Sequence, residues 1–181
     1  MVVNPFPGLR VTPLRWTEQT FRFDLPVGLF PSLLERVRGT PARLEELVRP
    51  YPPRVLTAKI NAGWSIQEHA GHLLDLDELH EARLEDFQRR MPTLRAADMS
   101  NRRTFEANHN AAPIAELLGR FRTARMRFVQ KLEQLDDTLL ESSALHPRLQ
   151  TPMRVIDMVY FVAEHDDHHL AAAHRIAVTL K

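Results

Sequence analysis

Met153-Arg-Val-Ile-Asp-Met-Val-Tyr-Phe-Val-Ala-Glu-His165-Asp-Asp-His-His169-Leu-Ala-Ala-Ala-His174-Arg-Ile-Ala-Val178 is the stretch that decides the fold class. At about 100° per residue with His165 at zero, Met158 and Ile176 fall near 20°, His169 near 40°, Val162 near 60°, Phe161 near 320° and Ala172 near 340°. One apolar face therefore runs the length of a helix, and His165 and His169 sit in the middle of it, one turn apart. His168 falls on the flank of that face and His174 on the opposite, solvated side.

Two imidazoles aimed into a core need partners, because an unpaired buried polar group is costly. A divalent ion supplies a shared one: the i,i+4 spacing lets both rings converge on a single metal. The competing reading gives one histidine a backbone carbonyl and the other a route to solvent.

Outward from this helix, the other periodic segments are also helical. Leu29 to Arg38 carries Leu29, Phe30, Leu33, Leu34 and Val37 as a stripe. Gly39-Thr40-Pro41 stops it and starts a shorter helix with Leu44, Leu47 and Val48, ended by Pro50-Tyr51-Pro52-Pro53. Ser65 followed by Glu68 is a capping box, and Trp64 provides the apolar lead-in. The helix it opens runs to Met91-Pro92 with Ile66, Ala70, Leu73, Asp77, His80, Leu84 and Phe87 in line. A further helix begins at Pro113 and carries Ile114, Leu117, Leu118, Phe121, Arg125, Phe128, Leu132 and Leu135.

The remainder reads as connections. Residues 91–112 form a loop with at most a short helical turn, and residues 136–152 pass through His146-Pro147 and Thr151-Pro152. The Pro-rich residues 1–28 read as an N-terminal extension, an extended arm. No strand pattern is present, so residues 29–181 are predicted to form a single all-α, helical-bundle, metal-binding domain.

Composition excludes several function classes. The 181 residues carry 24 Lys and Arg against 23 Asp and Glu, leaving no basic field for nucleic acid or an anionic membrane. No cysteine is present, which removes disulfides, thiolate ligands and a cysteine nucleophile. The longest apolar run, Val155 to Ala163, is interrupted by Asp157 and is far short of a membrane span. The first ten residues lack the charged start and apolar core of a signal peptide, so a cytoplasmic location is expected. The nine histidines are the anomaly.

A third metal ligand has to come from another helix, and the one opened by Ser65 offers His69, His72 and His80. Periodicity does not choose among them. His69 and His80 lie nearer the centre of its apolar stripe, while His72 lies about 100° off it beside Leu76, Leu79 and Arg83.

The sequence Trp64-Ser65-Ile66-Gln67-Glu68-His69-Ala70-Gly71-His72-Leu73-Leu74-Asp75 resembles the Trp-Ser opening and His-Leu pair of the DinB/YfiT-like metalloenzyme superfamily. His165-Asp166-Asp167-His168-His169-Leu170 is similar to that family's closing His-x-x-x-His, and Leu145-His146-Pro147 is a weaker third match. The resemblance covers about residues 29–178. It implies a DinB-like four-helix bundle, here with an additional short helix and the N-terminal arm, and commonly a homodimer. It maps the three ligands to His72, the histidine directly before Leu, and to His165 and His169. The acidic, His-rich residues between the last two ligands depart mildly from the pattern, which leaves His168 open as a competing ligand or a neighbour of the site.

Three neutral imidazoles leave open positions on an ion, the layout of a catalytic site. The implied cofactor is a divalent metal: zinc or nickel first, iron or manganese as alternatives. Members of the resembled superfamily include transferases and isomerases that use low-molecular-weight thiols. The resemblance therefore implies a small-molecule thiol (bacillithiol or a similar compound) attacking an electrophilic substrate, an S-transferase reaction. With no cysteine in the chain, any thiol nucleophile comes from outside. A metal-dependent hydrolase and a non-catalytic, stress-associated metal-binding dimer are the alternatives. Carboxylates that could orient the ligand histidines are Asp75, Asp77, Glu164 and Asp166. Arg83 and Arg125 are on or near inward faces and are candidates for holding an anionic substrate.

Overall fold

A computed structural model describes residues 12–180. Eight helices and one hairpin follow each other in the order α1 (Phe30–Arg38), α2 (Thr40–Val48), α3 (Pro53–Leu56), α4 (Ile66–Gln88), α5 (Arg102–Glu106), α6 (Ile114–Glu133), α7 (Asp137–Leu140), β1 (Ser143–His146), β2 (Thr151–Arg154) and α8 (Val155–Thr179). The bundle is built from α4, α6, α8 and the broken rod α1–α2. Helix α4 packs on α6 and α8, while α1 and α2 each lie against both α6 and α8.

The break in the first rod has a covalent cause. Pro41 has no N–H to give the Val37 carbonyl four residues back. Arg125 Nη1 donates to that carbonyl at 3.1 Å instead. Helix α4 starts where the capping box predicts: Glu68 N–H donates to Ser65 Oγ at 3.0 Å, and Ser65 N–H donates to Glu68 Oε2 at 2.8 Å.

The core has two apolar halves. Leu33, Val37, Leu84, Phe87, Phe128, Met158 and Val159 belong to one. Leu44, Ile66, Leu73, Leu117, Phe121 and Ala173 belong to the other. Burying these side chains is the main source of stability. A charged layer is also buried: Arg125 (α6), Asp77 (α4) and Asp166 (α8) have no exposed surface. Arg125 Nε and Nη2 donate to Asp77 Oδ1 at 3.0 and 2.9 Å, both Nη groups donate to Asp166, and Thr40 Oγ1 donates to Asp166 Oδ2 at 2.7 Å. Arg125 is thus fully engaged inside the bundle, which corrects its expected role in holding substrate.

One expectation about the connections also changes. The sequence predicts no strand and starts the last helix at residue 153, whereas β1 and β2 pair antiparallel with Ser143 opposite Arg154 and His146 opposite Thr151. Four-residue strands, one containing Pro152, are too short to show a period-2 pattern. The turn specifies the pairing, with Gln150 at φ 52° and its N–H donating to His146 O at 2.9 Å. Leu94 N–H and Leu145 O join the 92–94 segment to the same hairpin at 3.0 Å.

The N-terminal extension precedes α1. Residues 1–11 of it lie outside the described residues. From Trp16 on, the extension is laid onto the bundle, with Trp16, Phe21, Phe23, Leu25 and Val27 packed against the first apolar half. Arg154 Nη2 donates to Leu25 O at 2.8 Å and pins it. Among the described residues no helix is long and apolar enough to cross a membrane.

Candidate metal centre

Helices α4 and α8 bring His72, His165 and His169 together. One ring nitrogen from each lies within 4.8 Å of the others, and all three side chains are buried. The His165 and His169 Nε2 atoms are 3.1 Å apart. Tetrahedral imidazole ligands on a zinc-sized ion sit about 3.4 Å apart, close to the spacing of this pair.

The donor chemistry fits as well, because a ligand histidine must be neutral. Burial pushes His72 down to about 4, with Asp75 opposing the shift. Burial also holds His165 and His169 well below the usual imidazole value, and the neighbouring histidines add to the effect.

Polar groups behind the cluster orient its rings. His72 Nδ1 is 3.0 Å from Thr104 Oγ1, which donates to Asp75 Oδ2 at 3.0 Å, and His109 Nε2 is 2.8 Å from the same carboxylate oxygen. A proton on His72 Nδ1 leaves Nε2 free as the ligand atom. His109 packs against α4 where Gly71 has no side chain: a Cβ there would come within 2.2 Å of its ring atoms. Gln67 Nε2 fixes the His109 segment by donating to His109 O and Ala112 O, both at 2.6 Å. His169 Nδ1 meets His69 Nδ1 at 2.8 Å, so His69 backs a ligand. Burial holds His69 neutral, pushed down to about 3.

The cluster opens onto a cavity of about 470 Å³. Trp64 roofs it, with ring centroids 4.7 Å from His72 and 5.9 Å from His169. Trp16 closes the side at 4.9 Å from His165 and 5.0 Å from Phe161. The two tryptophans of the chain therefore both line the site. Leu76, Leu79 and Met99 add to its largely apolar wall.

The other sequence-predicted residues distribute as follows. Arg83 lines the cavity, as does His168, which is half-buried on the flank beside Trp16 with its Nδ1 3.4 Å from Gln19 Nε2. Asp75 reaches His72 through Thr104. Glu164 pairs with Arg36 at 2.7 Å on the outer face. Asp166 and Asp77 serve Arg125 rather than a ligand histidine. His80 is buried against Phe128 deeper along α4.

The sequence does not mark Thr104, His109, Trp16 or Arg148 as site residues. Thr104 arrives on the short helix α5 and His109 on the single turn after it; left-handed residues, Asn101 at φ 53° and Asn108 at φ 46°, precede the two. No spacing in a single sequence marks such a loop as facing a site.

The family model of the DinB superfamily matches residues 36–173. The chain belongs to the DinB superfamily. Its fold is similar to that of YfiT from Bacillus subtilis, described as a probable metal-dependent hydrolase with an unusual four-helix bundle topology. The two share 17% identity at a TM-score of 0.79 over 90% of this chain and 94% of that one. No curated protein matches the sequence.

Proposed function

We propose that this protein is a metal-dependent transferase in which a small thiol attacks an electrophile held in the cavity between α4 and α8. His72, His165 and His169 would hold the ion. When bound, a divalent ion supplies Lewis acidity that lowers the pKa of a water or thiol reaching it. The chain's own part is to keep three imidazoles neutral, to fix His72 through Thr104 and Asp75, to back His169 with His69, and to exclude bulk water with Trp16, Trp64 and Phe161.

The observation that carries the choice of nucleophile is the cavity lining. Among the described residues its one carboxylate is Asp98, and Ser100 N–H, Ser100 Oγ and Arg102 N–H all donate to it, at 2.9, 2.6 and 3.1 Å. Those bonds hold the Asp98 carboxyl below its usual range, so it is a poor proton acceptor. Water activation by a carboxylate base has no free candidate in this lining. A small thiol is far more acidic than water, so with its pKa lowered further by a bound ion it would give its proton to solvent and call for no such base.

The second reading is a hydrolase using the same three histidines, favoured by the fold shared with YfiT. Thiol dependence separates the two. Metal-loaded protein is incubated with an electrophile panel, with and without small thiols, and free thiol and substrate are followed together. The transferase reading expects stoichiometric loss of both, abolished by His165→Ala. Substrate cleavage at an undiminished rate without thiol would contradict it.

A further inference from the structure

We infer that the end of the cavity formed by Arg83, His146 and Arg148 is an anion subsite, and that the substrate is an organic anion with an apolar body. This deepens the reading of the cavity as a substrate site. It stands on a separate set of side chains.

Among the described residues, four buried side-chain polar atoms have no hydrogen-bond partner: His80 Nδ1, His146 Nε2, Arg148 Nη2 and His165 Nδ1. All four belong to residues that line this one cavity. Unpartnered buried polar atoms are rare in native structures and call for a cause. For His146 the missing partner can be specified. Its Nδ1 accepts from Leu149 N–H at 3.2 Å, so the ring proton is on Nε2, and the orphaned atom is a donor. Arg148 Nη2 is a donor by its nature.

Arg83 completes the group. It is 3% exposed, spends Nε on Arg95 O at 3.0 Å, and neither it nor Arg148 forms an ion pair among the described residues. Two guanidiniums and an imidazole N–H thus converge with no carboxylate bonded to any of them. Such a donor-only cluster is complementary to a carboxylate or phosphate-like group, which planar guanidiniums bind well.

The surroundings define the rest of the ligand. The Phe161 ring lies between the two ends of the site: its centroid is 5.3 Å from that of His146 and 5.9 Å from Arg148 Cζ, while Trp16 bridges Phe161 to His165. A molecule anchored at Arg83 and Arg148 would lay an apolar portion over Phe161 and Trp16 and present its far end to the three histidines. His146-Pro147, a motif before the last helix, gains a function in this way: the hairpin carries the anion donors to the site.

Binding tests the inference without turnover or thiol. Metal-loaded full-length protein is titrated with benzoate, phenylphosphonate and the uncharged benzamide, and the intrinsic fluorescence of Trp16 and Trp64 is followed. At least one anion is expected to bind tenfold or more tightly than benzamide, and to lose tenfold or more in Arg148→Gln. The half-buried Arg148 is chosen because its variant should fold, which a thermal melt checks; Arg83→Gln is the second arm. Equal affinity for the anions and benzamide would overturn the inference. So would undiminished anion binding in Arg148→Gln, since that places the anion on the metal. Either failure leaves the thiol dependence of the reaction untouched, and loss of thiol dependence leaves this titration interpretable.

Discussion

Two groups of buried polar side chains stand within this bundle, and they are finished in opposite ways. In the Arg125 layer, the guanidinium is met by Asp77, Asp166 and the Val37 carbonyl, and the Thr40 hydroxyl donates to Asp166. Around the cavity, three histidine nitrogens and one arginine nitrogen are buried without a partner among the described residues, and all four belong to residues that line it. A saturated polar cluster fixes how helices meet; an unsaturated one leaves valence for something that is not protein. Arg125, His80, His146 and His165 are all buried side chains, so burial alone does not distinguish them. Saturation does.

The largest expected effect breaks the saturated layer. Arg125→Leu strands two buried carboxylates and should cost about 3–5 kcal/mol in urea unfolding, the range found when one partner of a buried ion pair is removed. Arg148→Gln, on the unsaturated side, should change stability by less than about 1 kcal/mol, as substitutions without a buried partner do. Similar losses for both variants would erase the distinction.

A smaller effect comes from behind the metal centre. Gly71→Ala drives a methyl group against the His109 ring and should cost about 1–3 kcal/mol through overpacking. By displacing His109 it also loosens Asp75, Thr104 and His72, so metal affinity in a chelator competition should fall about 10–100-fold. Unchanged affinity would show that this chain does not support the ligand.

The smallest effect is a pH slope. Burial pushes Asp77 up to about 7; Arg125 opposes the rise and the neighbouring Asp166 carboxylate adds to it. Its folded value lies above its unfolded one, so its contribution to stability is complete below about pH 4 and is lost as the pH rises through 7. Asp77→Asn should therefore flatten the fall in urea midpoint between pH 5 and 8. The buried histidines have the opposite sign: His72, pushed down to about 4, loses stability as the pH falls from about 6.5. A variant with the wild-type slope would remove Asp77 as its source.

Legibility in the sequence follows the same physical divide. His165 and His169 could be placed from periodicity because α8 has one apolar face. Helix α4 is buried around most of its circumference, Gln67, Asp75 and Arg83 included, so its stripe does not mark a single inward direction. His72 was reached through the resemblance for that reason. Arg125 was correctly placed facing inward, but its partners lie on two other helices, and only packing reveals them. The hairpin and residues 16–27 carry no period, so Trp16 and Arg148 could not be assigned to the cavity. Only three-dimensional closure of the chain brings them there.

The central claim is that His72, His165 and His169 hold one divalent ion, and elemental analysis of untagged protein purified without chelators tests it most directly. About one equivalent per chain is expected for the wild type and for His174→Ala, with a sharp loss in His72→Ala. Wild-type protein free of divalent metal, or full stoichiometry retained in His72→Ala, would contradict the assignment.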